Sequence, residues 1–130
     1  MYGKISPENT HNDSGSASRY FYTAKASKSE RNAGLEGFEE KRGATFKNHH
    51  PTVKPLSLTK YLATLIKPPT GGRLLVPFSG SGSEMIGALQ DGWEYVEGVE
   101  LTEEYIPIAE ARIKYWLNKV EEESKQGVLL

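Results

Sequence analysis

The chain has 130 residues, of which 13 are Gly, 7 are Pro and none is Cys, and 37% are hydrophobic, the size of a single domain with a real core. The absence of Cys excludes a disulfide scaffold, thiolate zinc sites and a cysteine nucleophile. No apolar run approaches the ~18 residues that span a bilayer and no signal-peptide pattern opens the chain, so a cytoplasmic location is expected, and a formal net charge of −1 argues against a generic basic nucleic-acid binder.

That net charge is an average over two unlike halves. Residues 1–73 carry 12 Lys/Arg and 6 Asp/Glu, a balance of +6, whereas residues 74–130 carry 4 and 11, a balance of −7. Such asymmetry arises when different faces meet different partners, or from a single acidic helix.

In chain order, residues 1–18 read as a loop, rich in Asn, Ser, Gly and Asp with no apolar period. Arg19 to Ala24 reads as an aromatic strand. Residues 25–48 are polar and Gly-punctuated, an ordered surface excursion rather than a core element. After Pro55, the residues Leu58, Tyr61, Leu62, Leu65 and Ile66 fall at i, i+3, i+4, i+7 and i+8, which predicts an amphipathic helix with this stripe in the core. Pro68-Pro69 ends it and Gly71-Gly72 turns the chain.

The apolar run Arg73 to Phe78 predicts a short strand buried on both faces, with Pro77 tolerated only at its end because proline donates nothing to a ladder. A Gly80-Ser81-Gly82-Ser83 turn follows, then a helix from Glu84 to Gln90, capped by Ser83 and ended at Asp91-Gly92. Glu94 to Val99 alternates as a second strand, leading to Glu100. Thr102 is placed to cap a last helix with the stripe Tyr105, Ala109, Ile113, Trp116, Leu117 and Val120. Pro107 lies too deep for a first-turn proline, so this helix starts late or bends, and residues 121–130 read as frayed. The order is a β-α-β unit with parallel strands, hence an α/β fold, with a leading region 1–48 and a β-α-β region 49–130.

The chemistry concentrates at the turn. Its glycines let a ligand approach the backbone, and a carboxylate at the tip of the second strand has the acceptors to hold both hydroxyls of a ribose. Alone, a G-x-G turn is equally a plain tight loop. The dinucleotide fingerprint fails, because position 85 is Met where a third Gly belongs. The phosphate-binding G-x-x-x-x-G-K-[ST] pattern is absent, and no Lys or Arg lies between Arg73 and Arg112. A turn without positive charge suits a cationic cofactor better than a pyrophosphate, which disfavours a dinucleotide-dependent oxidoreductase. His49 and His50 are adjacent, without the i, i+4 spacing or Cys partners of a metal site, so no metal is expected.

His50-Pro51-Thr52-Val53-Lys54-Pro55 ahead of a helix, followed by Pro77-Phe78-Ser79-Gly80-Ser81-Gly82-Ser83, resembles the S-adenosylmethionine-binding part of DNA amino-methyltransferases. The stretch from Phe21 to Arg31 with Gly34-Leu35-Glu36-Gly37, and Gly98-Val99-Glu100 with Tyr105, Ala109 and Arg112, extend the resemblance over residues 19–118. It implies a partial Rossmann-like fold with S-adenosylmethionine as cofactor. Phe78 and the turn Ser79, Gly80, Ser81 and Gly82, entered through Pro77, would line the methionine and adenosine portions, and Glu100 would hold the ribose. Thr52 would sit by the methionine end, with Lys54 as partner for its carboxylate; without the resemblance these two read as a helix cap and a solvated lysine. Of Tyr20, Phe21 and Tyr22, one would face a target base or all three would be core.

Two departures stand out. The family usually carries Asp where Val76 stands, and the [Asn/Asp/Ser]-Pro-Pro-aromatic loop that these enzymes close on the target amine is missing; Lys67-Pro68-Pro69-Thr70 has the wrong residues on both sides. In the circularly permuted class that loop lies upstream of the cofactor turn, so the chain resembles a carboxy-terminal, cofactor-binding part with no catalytic residue of its own. DNA is the expected substrate, through the exocyclic amine of adenine or cytosine. The exposed edge of so small a sheet is expected to be covered by self-association or by a second polypeptide supplying the loop. The alternative is a non-catalytic remnant or split subunit. The +6 half would face DNA and the −7 half the cationic cofactor.

Overall fold

The computed structural model describes residues 25–41 and 47–128, so the predicted strand 19–24 lies outside the described residues. The elements are α1 (Lys28–Asn32), α2 (Leu56–Ile66), β1 (Arg73–Val76), α3 (Ser83–Gln90), β2 (Tyr95–Gly98), a 3-10 turn (Glu103–Tyr105) and α4 (Ile106–Val128). β1 and β2 pair in parallel, Arg73 opposite Tyr95 and Val76 opposite Gly98. The flanking helices complete an α/β arrangement compatible with part of a Rossmann-like fold.

The core lies on one face of this ribbon. Leu74 and Val96 pack against Ala63 of α2, Ala88 of α3 and Trp93. The Trp93 indole donates to the Ala63 carbonyl at 3.3 Å, satisfying the one polar group of the largest core side chain. α2 and α3 approach closely because Gly87 faces the α2 backbone at Thr59 and Lys60. At the far end, Thr64 Oγ1 donates to Asp91 Oδ1 at 2.6 Å and Lys67 Nζ donates to the Asp91 carbonyl at 2.7 Å. α4 packs on α3, with Ile113 and Ala109 against Gly82.

Several expectations are corrected. α2 forms where its spacing predicts, but its buried residues are Leu56, Thr59 and Ala63, while Tyr61, Leu62, Leu65 and Ile66 are exposed. The small face is inside because only small residues allow α3 so near; the large apolar stripe is left outside. Among the described residues β1 is likewise covered on one face only: by register Arg73, Leu75, Tyr95 and Glu97 share the other, where Leu75 is 59% exposed and the Arg73 guanidinium lies 5.3 Å from the Tyr95 ring centroid.

The excursion 25–48 contributes to the core after all, since Leu35 and Asn48 are fully buried. Gly34 adopts φ +85° where a Cβ would meet Tyr115 and the Ala111 carbonyl, so the segment lies tight against α4. α1 caps α2 from a distance, its Glu30 Oε1 accepting the Leu56 N–H at 2.7 Å. The Pro107 problem resolves as a late start: a 3-10 turn precedes α4, which places proline at the second helical residue. Thr102 stands at the N-cap of that turn without a side-chain cap bond. Residues 121–128 are helical, not frayed, consistent with helix-forming Glu and Lys and a Glu121–Lys125 i, i+4 spacing. Among the described residues no helix is long and apolar enough to cross a membrane.

Candidate functional site

The site forms where β1 and β2 end side by side. The ladder continues past both strands: the Val99 N–H donates to the Val76 carbonyl and the Ser79 N–H donates to the Val99 carbonyl, each at 2.9 Å. These two bonds bring the Gly turn beside Glu100. Gly80 and Gly82 take φ +53° and +81°, left-handed conformations that side chains resist. Gly82, not Ser83, is the N-cap of α3, and the Ser83 hydroxyl bonds Arg112 instead.

Glu100 is held at both oxygens. Oε2 accepts the Gly80 N–H at 2.7 Å and Oε1 accepts the Thr102 N–H at 2.8 Å. The Thr102 amide, opposed by burial and aided by the Gly80 amide, holds the carboxyl below the usual range, so the group is ionised near neutrality. Each oxygen retains acceptor capacity for a ligand hydroxyl. His50 lies against Gly80, and its ring packs edge-on to Tyr105 with centroids 4.5 Å apart. Its Nδ1 accepts the Thr52 N–H at 3.2 Å, which ties Thr52 to the ring that lies against Gly80. Burial pushes the His50 pKa down.

Lys54 is ion-paired with Glu84, in the first turn of α3, at 2.7 Å. Pro77 and Phe78 are exposed, Phe78 at 87%. Ser79 and Ser81 are buried, and the Ser81 hydroxyl is taken up by Asn48 and Arg112. Glu100, Gly80, Gly82 and, through His50, Thr52 are thus brought together. Lys54 stands at the start of α3 and Phe78 at the rim. Val76 is in the core.

Sequence reading assigned no role at the turn to three residues. Leu101, beside Glu100, is 95% exposed and offers an apolar surface at the rim; its place after the strand-end carboxylate was the available signal. Asn48 and Arg112 are both fully buried and meet at Ser81. Arg112 also corrects the expectation of a turn without positive charge: it is 31 residues from Ser81 in sequence yet its guanidinium donates to the Ser81 carbonyl at 2.6 Å. The missing third glycine remains the argument against a dinucleotide.

A carboxylate beside a tight turn at the carboxyl ends of two parallel strands suits a nucleoside. The site offers an ionised carboxylate with acceptors to spare and the exposed apolar side chains of Phe78 and Leu101, while Gly80 and Gly82 are buried, with His50 and with Ile113 and Ala109 standing where their side chains would be. No protein-family model matches the chain. A curated protein of Escherichia coli (strain K12), described as "Putative methylase YubD", is 40% identical over 65 residues, which is 50% of this chain and 28% of that protein. The chain therefore matches less than a third of that relative's length.

Proposed function

We propose that this chain is the cofactor-binding part of an S-adenosylmethionine-dependent methyltransferase acting on DNA, at the exocyclic amine of adenine. The observation that carries the reading is the Gly80–Glu100 pairing at the carboxyl ends of two parallel strands. The 40% identity to a curated protein described as a methylase supports methyl transfer. The DNA substrate and the adenine amine rest on the sequence resemblance. When bound, S-adenosylmethionine supplies an electrophilic methyl group on a sulfonium. Glu100 accepts the ribose hydroxyls, Phe78 and Leu101 flank the base, and the turn backbone with Thr52 and Lys54 holds the methionine portion.

Calorimetric titration with S-adenosylhomocysteine tests this. Saturable heat is expected from the folded chain, and Glu100→Ala is expected to weaken binding at least tenfold while Glu103→Ala does not. No heat at millimolar ligand sinks the proposal, and equal affinities for the two variants remove Glu100 from the site.

A second reading concerns how the chain acts: as one part of a split enzyme whose target-binding loop comes from another polypeptide. The outward apolar surface favours it. Leu62 and Ile66 of α2 with Leu74, Leu75 and Pro77 line an apolar groove of about 220 Å³ along β1. Among the described residues nothing pairs with the other edge of β1, and parallel sheets are ordinarily covered on both faces. A strand added at that edge would cover the groove. DNA methylation by the purified chain alone refutes the split reading.

A further inference from the structure

We infer that Arg112 is the positioning residue of the glycine turn, fixing the peptide planes of residues 80–82 so that the Gly80 N–H faces Glu100. Arg112 lies in α4, and its side chain is fully buried beneath the turn. One of its nitrogens, Nη1, donates to the Ser81 carbonyl at 2.6 Å and lies 3.0 Å from Ser81 Oγ and 3.2 Å from Ser83 Oγ. Asn48, also fully buried, donates from Nδ2 to the same Ser81 Oγ at 3.1 Å. Ser81 is thereby gripped on carbonyl and hydroxyl from two directions.

The consequence follows from the chain's geometry. Ser81 is flanked by two glycines in left-handed conformations, the residues with the most freedom to rotate. With the Ser81 carbonyl drawn inward to a guanidinium, those rotations are fixed. The Gly82 N–H then closes on the Ser79 carbonyl at 2.8 Å, and the Gly80 N–H meets Glu100 at 2.7 Å.

Packing alone does not account for the residue. Among the described residues Nε and Nη2 of Arg112 are buried without a hydrogen-bond partner, and burial lowers its pKa to about 10. A methionine would fill similar space without burying a charge. What the guanidinium adds is the set of bonds to residues 81 and 83.

The test compares Arg112→Met, Arg112→Lys and Ser81→Ala with the unaltered chain, reading amide hydrogen exchange at Gly80 and Gly82 by NMR alongside helix content by circular dichroism. Arg112→Met is expected to keep the helix content and speed exchange at both glycines at least tenfold. Arg112→Lys restores much of the protection, since an ammonium still donates to the Ser81 carbonyl. Ser81→Ala, which keeps that carbonyl but loses the bridging hydroxyl, falls between. Unaltered exchange in Arg112→Met overturns the inference. So does a failure of Arg112→Met to fold combined with unaltered exchange in the other two variants, which would leave Arg112 a residue of the core only.

The consequence for ligand rests on the cofactor reading above: S-adenosylhomocysteine affinity is expected to fall about tenfold in Arg112→Met and to recover in Arg112→Lys. If the unaltered chain takes no S-adenosylhomocysteine while exchange at Gly80 still responds to Arg112→Met, the cofactor reading fails and the positioning role stands.

Discussion

Replacing Gly87 with alanine reverses an ordinary expectation. Within a helix this change raises stability by about 1 kcal/mol, because alanine loses less backbone freedom on folding. Gly87 is in the middle of α3, but a Cβ there would lie 2.6 Å from both the Lys60 nitrogen and the Thr59 carbonyl carbon. These are backbone atoms of α2, not ends of flexible side chains. Reaching an ordinary contact of 3.4 Å requires α2 to retreat by about 0.8 Å. α2 is tied to α3 at both ends, by Thr59 Oγ1 to the Ser83 carbonyl at 3.0 Å and by Thr64 and Lys67 to Asp91. Overpacking of this kind costs roughly 1–3 kcal/mol, and the tied helix puts it at the upper end. Net of the propensity gain, Gly87→Ala is expected to destabilise by about 2 kcal/mol, a fall in melting temperature of roughly 8 °C or more. Gly127→Ala is the control: the same substitution in α4, with nothing within 4 Å of the added Cβ, is expected to be neutral or to stabilise by up to about 1 kcal/mol. Thermal unfolding by circular dichroism measures both. A Gly87→Ala chain melting at or above the unaltered chain would refute the close α2–α3 approach.

Removing the remote cap with Glu30→Ala leaves the Leu56 N–H without its acceptor and is expected to cost about 0.5–2 kcal/mol, measured by urea unfolding with Lys28→Ala as control; equal midpoints for the two variants would remove Glu30 from the cap. His50 is held below its ordinary pKa chiefly by burial, so the folded chain binds fewer protons than the unfolded one. Its stabilising contribution is complete above the ordinary histidine value of about 6.5 and is lost as pH falls toward the folded pKa. The melting temperature is therefore expected to fall between about pH 7.5 and pH 5.5, and less steeply in His50→Asn, which keeps an acceptor for the Thr52 amide; an equally steep fall assigns the effect elsewhere. On the uncovered face, Leu75→Lys is expected to change the stability of the isolated chain by no more than about 0.5 kcal/mol, and a loss above 2 kcal/mol would mean that β1 is covered on that side.

What the sequence determined by itself is local. Pro77 at a strand end, two glycines in the turn, Asp91-Gly92 ending α3 and alternation into Glu100 are features read within a few residues, and the β-α-β order with parallel strands follows from them. That the glycine turn and Glu100 lie at neighbouring strand ends was legible for the same reason, whereas the Gly80–Glu100 hydrogen bond is seen only in the structure. The tertiary structure decided which surfaces meet. Periodicity marks an apolar stripe on α2 but not what it packs against, and the close approach of α3 at Gly87 selected the small face, Thr59 and Ala63, instead. The same limit hid the cation at the turn. Charge counting along the chain leaves residues 74–111 without Lys or Arg, yet α4, packed on α3, carries Arg112 under Ser81. Short-range patterns report the conformation a segment prefers; long-range contacts depend on volumes and distances that no window of sequence contains.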